Sequence, residues 1–133
     1  MIRRWALFAV FAGLFAVLAW PSLAGEAPEV KPRELVMFWR KGCAFCAAWE
    51  REVGPAYQKS AEGKRYPLRR VEIDTEEAGI EVETPPRFTP TFVLALCGRE
   101  AARVTGYIGP DQFWSLLDLA LASAEKKAEA ETC

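Results

Sequence analysis

Residues Glu34 to Val53 read ELVMFWRKGCAFCAAWEREV: an apolar run, a glycine, two cysteines separated by two residues, and then apolar positions at helical spacing. A short continuous apolar run of this kind fills a central strand covered on both faces. Cys46, Trp49, Val53 and Tyr57 recur at intervals of three, four and four, which is one face of a helix. The cysteines therefore sit at a strand-to-helix turn. Such a pair is a redox centre, half of a metal site or a structural disulfide, and the rest of the chain has to choose among them.

The compartment comes first. Arg3 and Arg4 precede an apolar run from Trp5 to Trp20, followed by Pro21 and the small-residue tripeptide Ser22-Leu23-Ala24. That layout predicts a secretory signal peptide over residues 1–24, cleaved before Gly25. The run is shorter than the ~20 residues a bilayer-spanning helix wants, which sets an uncleaved anchor as the alternative. Glu26 stands where a lipoprotein would need cysteine. The mature chain, 25–133, is of a size for one domain and is predicted to be exported to the periplasm. Losing Arg3 and Arg4 takes 17 basic residues to 15 against 18 acidic ones, a net charge of −3, which argues against a nucleic-acid partner.

The chain has no histidine. This removes Ser-His-Asp and Cys-His nucleophile pairs, imidazole bases and every histidine-containing metal site. The four cysteines, Cys43, Cys46, Cys97 and Cys133, all lie in the exported part, where oxidising conditions permit disulfide chemistry. A zinc half-site finds no second short spacing among them. A purely structural Cys43–Cys46 bridge would close too small a loop to constrain the unfolded chain much. The redox reading remains, with the disulfide itself as the only prosthetic chemistry and no metal or cofactor expected.

Further along, Gly54-Pro55 kinks or ends the first helix, and PLRRVEID, 67–74, reads as a strand. The segment before Pro85-Pro86 has room for a short helix at most. TPTFVLALCGREAARVTGY, 89–107, reads as a hairpin turning at Cys97-Gly98-Arg99-Glu100, with Cys97 exposed on the turn. Gly109-Pro110-Asp111 opens a last helix with an apolar stripe of Phe113, Leu116, Leu117, Ala120, Leu121 and Ala124. From about residue 126 the polar end is predicted to be a flexible tail. The order strand, helix, strand, link, strand, strand, helix predicts an α/β fold: a central mixed four-stranded sheet flanked by helices, with right-handed crossovers between the parallel strands.

That order, with CAFC between strand and helix, resembles the thioredoxin superfamily. Trp39 stands four residues before Cys43, Thr89-Pro90-Thr91 precedes the third strand, and Gly106-Tyr107 follows the fourth. In that family these positions hold a tryptophan, a cis-proline and a glycine beside the active site. PLRRV and PPRFTPTFVL, with GRE and GY after them, resemble more narrowly the SoxS-type periplasmic thiol-disulfide reductases of sulfur-oxidation systems. The resemblance implies a protein disulfide substrate, a sulfur-carrier protein of thiosulfate oxidation whose cysteine is kept reduced, and a membrane thiol-disulfide transporter as electron donor. A cytochrome-maturation reductase and a disulfide oxidase or isomerase are alternatives within the same chemistry. A cysteine-based metal carrier and a redox-inert binding module are alternatives outside it. The chain departs from thioredoxin at Met37, where that family has a buried aspartate, and at Ala44-Phe45 between the cysteines.

The chemistry assigns roles. Cys43 at the helix N-terminus meets unpaired N–H groups, the helix dipole and the charge of Lys41, all of which favour a thiolate. It attacks a substrate disulfide, and the covered Cys46 then displaces the substrate. A cis Thr89-Pro90 bond would present the backbone of Thr89 to an extended substrate segment, with Trp39 and Phe45 as flanking apolar contacts. Cys97 and Cys133 are expected to bridge each other, pair between molecules or stay free, with no catalytic role.

Overall fold

A computed structural model describes residues 32–130. The predicted signal peptide and its cleavage point lie outside them, as does Cys133. Within them the chain runs β1 (Arg33–Trp39), α1 (Ala44–Glu52), α2 (Gly54–Lys59), α3 (Ala61–Arg65), β2 (Leu68–Glu72), β3 (Thr91–Leu96), β4 (Arg99–Thr105) and α4 (Pro110–Ala130). The sheet order is β2-β1-β3-β4, with β1 parallel to β2 and antiparallel to β3, and β3 antiparallel to β4. This is the mixed four-stranded sheet the sequence predicts.

Alternation along β1 sends Leu35 and Met37 to one face and Val36 and Phe38 to the other. On the first face Trp49, Val53 and Tyr57 from α1 to α2 meet Phe113, Leu117, Ala120 and Ala124 from α4 over Phe92 and Leu94. Trp49 is at the centre, its ring centroid 4.9 Å from Phe92 and 5.5 Å from Phe113. Truncating a buried aromatic of this kind to alanine costs about 3–5 kcal/mol. Among the described residues, no helix packs on the second face. Val36, Phe38, Val71 and Val93 are covered by Ala78, Ile80 and Val82 of the irregular link between β2 and β3. Arg69 fastens that link: it donates to Glu34 at 2.7 and 2.9 Å and to the Ala78 carbonyl at 2.8 Å, with Glu34 3% exposed.

Gly54-Pro55 breaks the first helix by starting another: Val53 is the C-cap of α1 and the N-cap of α2, with proline at the start of the new turn. Ser60 then caps α3, its Oγ accepting from Gly63 N at 3.0 Å. No helix forms between β2 and β3.

Four expectations need correction. The hairpin turns on Cys97 and Gly98 alone, with φ of 50° and 77°, while Arg99 and Glu100 already belong to β4. Two positive φ values make the tight turn whose twist matches the flanking strands. Cys97 is not an exposed thiol on that turn. It is half-buried and disulfide-bonded, and its N–H donates to the Pro32 carbonyl at 3.0 Å. Residues 126–130 are helical, because α4 stays tied down near its end: Glu125 accepts from Arg33, Arg65 and Tyr66, and Ala128 packs on the core. Leu116, expected in the apolar stripe, is 37% exposed.

Candidate active site

The strand register gathers the site. Phe38 pairs with Thr91, Thr91 with Thr105, and Trp39 with Glu72, so β1, β2 and β4 end, and β3 begins, at one edge of the sheet. The segments holding Cys43, Asp74, Pro90 and Gly106 all leave from that edge. Gly106 N donates to the Pro90 carbonyl at 2.8 Å and Ile73 N to that of Trp39 at 2.9 Å, which locks neighbouring segments to one another.

Gly42, at φ 79°, turns the chain from β1 into α1, a backbone shape a side chain would strain. Cys43 is itself the N-cap. Its backbone is extended, and its Sγ accepts from Cys46 N at 3.1 Å, the position a serine or aspartate oxygen usually fills. The sulfur thus sits among the unpaired N–H groups of the first turn, where negative charge is stabilised. Cys43 and Cys46 are joined, with Cα atoms 5.3 Å apart. Cys43 is partly exposed and Cys46 is 4% exposed, so one sulfur faces solvent and the other the core.

A cavity of about 640 Å³ opens beside the pair, walled by Cys43, Cys46, Trp39, Met37, Glu50 and three arginines. Two bidentate ion pairs frame it. Arg70 on β2 holds Glu50 on α1 at 2.5 and 2.8 Å, and Arg40 after β1 holds Asp74 after β2 at 2.6 and 2.8 Å. Hydrogen bonding to Glu50 raises the Arg70 pKa. The Arg40–Asp74 bond likewise raises the arginine and lowers the carboxyl, although both groups are exposed. On the other side of α1, Tyr107 donates to Glu52 at 2.6 Å. Burial first, and then that carboxylate, push the Tyr107 phenol up to about 12.

The cavity brings together Cys43, Cys46 and Trp39, the last half-buried against the core as well. Phe45, Thr89 and Pro90 are not part of its wall. The Thr89-Pro90 bond is cis, Thr89 is half-buried and Pro90 is buried. Phe45 is 61% exposed. Glu50, Arg70, Arg40 and Asp74 were not singled out from the sequence. The spacing of Cys46 and Glu50, one helical turn apart on the same face, was the available signal for Glu50.

Residues 24–121 match the thioredoxin-like domain family. The chain belongs to that family. This thioredoxin-like chain is similar to the periplasmic thioredoxin SoxS from Paracoccus pantotrophus in its reduced form: 39% identity over 69% of this chain and 98% of SoxS, with a TM-score of 0.65. It is also similar to the Malassezia sympodialis thioredoxin Mala s 13, at 23% identity over 67% of this chain and 75% of that one, with a TM-score of 0.46. Thioredoxin-2 of the malaria parasite gives 22%, 65%, 81% and 0.47 in the same measures. No match was found among curated proteins. With its Cys-x-x-Cys pair, this thioredoxin-like chain is a thiol-disulfide oxidoreductase of SoxS type.

Proposed function

We propose that the protein is a periplasmic thiol-disulfide reductase in which Cys43 attacks and Cys46 resolves. The observation that carries this reading is the unequal exposure of two sulfurs at one helix N-terminus: Cys43 caps the helix and faces solvent, whereas Cys46 is covered. The Cys43 thiolate attacks one sulfur of a substrate disulfide and expels the other as a thiolate. Cys46 then attacks Cys43 of the mixed disulfide, which releases the second substrate thiolate and leaves the Cys43–Cys46 bond. Two electrons pass to the substrate, and a thiol donor must return them.

Export rests on the N-terminal sequence pattern and on likeness to a periplasmic thioredoxin. The substrate is a sulfur-carrier protein of thiosulfate oxidation and the donor a membrane thiol-disulfide transporter; both rest on the SoxS-type phrases in the sequence. Phe45, Phe88 and Ile108, at 61%, 70% and 76% exposed, lie on segments next to the same end of the sheet as Cys43 and give a protein substrate apolar ground to dock on. The Cys43–Cys46 pair itself supplies the redox chemistry of this reading.

Cys46→Ser tests the reading in cells. Cys43 can then attack but nothing displaces the substrate, so a mixed disulfide with the carrier's cysteine accumulates, while Cys43→Ser traps none. Trapping by Cys43→Ser alone would reverse the two roles. Trapped cytochrome-maturation proteins would keep the chemistry and overturn the pathway.

A further inference from the structure

The resolving step needs Cys46 as a thiolate, because the thiolate and not the thiol is the nucleophile. Cys46 is 4% exposed and so cannot simply give its proton to bulk water. Cys43 is at that moment tied up in the mixed disulfide, and the chain has no histidine. Among the described residues, a cavity of about 640 Å³, large enough for water, borders Cys46. Glu50 is the one carboxylate of its wall. The others are Arg40, Arg51, Arg70, Met37, Trp39 and small residues.

We propose that Glu50 is the proton acceptor for Cys46, a role that rests on Cys46 being the resolving sulfur. Glu50 lies one turn after Cys46 on the same face of α1, and both line the cavity. Arg70 fixes the carboxylate there through two hydrogen bonds, at 2.5 and 2.8 Å. The charged groups facing Glu50 are Arg70 from β2, Arg40 from beyond β1 and Arg51 on its own helix. In the step, the Cys46 S–H proton passes to Glu50 directly or through cavity water. The thiolate attacks the Cys43 sulfur, the Cys43–Cys46 bond forms, and the bond from Cys43 to the substrate breaks. The departing substrate thiolate takes a proton from solvent. Glu50, whose side chain is 36% exposed, returns its own proton to solvent.

A chromogenic aromatic disulfide mixed in stopped flow with the reduced full-length protein separates the two events. One aromatic thiolate is released as Cys43 attacks and a second as Cys46 displaces the first adduct. Traces of Cys43→Ser and Cys46→Ser identify which phase belongs to which sulfur. Glu50→Gln is expected to leave the Cys43 phase within about twofold, to slow the Cys46 phase by about tenfold or more at pH 7, and to move that phase's pH profile upward. Glu50→Asp keeps a carboxylate and restores most of the rate. Arg70→Met, which removes the clamp but not the acceptor, slows the Cys46 phase less than Glu50→Gln does. An unchanged Cys46 phase in Glu50→Gln, or both phases slowed equally, overturns the role of Glu50. A Cys46→Ser trace that keeps the second phase overturns the order of the two sulfurs instead.

Discussion

Cys43 caps the helix that activates it. Because the same N–H that satisfies helix geometry also stabilises negative charge on sulfur, the reduced protein is expected to alkylate at Cys43 at least about tenfold faster than at Cys46 at pH 7. Mass-spectrometric peptide mapping after a short iodoacetamide pulse measures this, and equal labelling would refute it. The stretch that holds this cap was legible in the sequence, since Trp39, Cys43 and Cys46 lie in one motif read along the chain. The ion pairs around them were not. Glu50 and Arg70 are 20 positions apart and Arg40 and Asp74 are 34 apart. Charged residues at such separations read as ordinary solvated surface until the sheet register brings them together. Met37, which pairs with Arg70 across the sheet, looked from the sequence like a loss of chemistry. The structure shows a charged pair at the same level of the sheet, its acid carried by the helix instead of the strand.

At the scale of elements, α4 was legible in its start and not in its end. Glu125 decides the end, accepting from Arg65 Nε at 3.1 Å and Tyr66 Oη at 2.7 Å. Those two bonds, Arg65 first, hold its carboxyl below the usual carboxylate range. The folded chain therefore binds the Glu125 proton less readily than the unfolded chain. The cluster's stabilisation is fully present above the unfolded pKa of about 4.3 and is lost as pH falls through the folded value. Glu125→Gln is expected to lower the denaturant midpoint at pH 7, with the gap from the parent closing by pH 3; a gap that does not depend on pH would count against the cluster. The short helices carry a sharper constraint. A Cβ on Gly63 would lie 1.9 Å from the Tyr57 carbonyl oxygen, backbone against backbone. Gly63→Ala should destabilise by about 2–3 kcal/mol, although alanine is the better helix former. Thermal melts would show it, and a neutral or stabilising result would mean that α2 and α3 shift apart freely.

At the scale of the molecule, the two faces of the sheet are held by different means: helices with an aromatic cluster on one, and a link fastened by one arginine on the other. Glu34→Ala leaves Arg69 without its partner and should cost about 2 kcal/mol, less than the ~3–5 of a fully buried pair because Arg69 is partly exposed. Hydrogen exchange should then rise first in 76–84, ahead of α1; uniform acceleration would show that the link and the sheet open together. The sequence placed all four strands and missed this asymmetry, since a link with neither repeat nor periodicity gives no sign of which surface it lies on. The link also reaches past the hairpin. Glu81 N donates to Gly98 O, and Glu100 N to Glu81 O, both at 2.8 Å, so a short parallel bridge occupies the outer side of β4. An unoccupied strand edge is a template on which a second chain can polymerise, and natural sheets block such edges to stay apart. Here the bridge spends both outward-facing groups at the start of β4 inside the molecule, and the register shift after Leu94 bends the strand just beyond it. Glu81→Pro deletes one of the two bonds. Light scattering of that variant should show more concentration-dependent association than the parent, marking the bridge as a guard against aggregation.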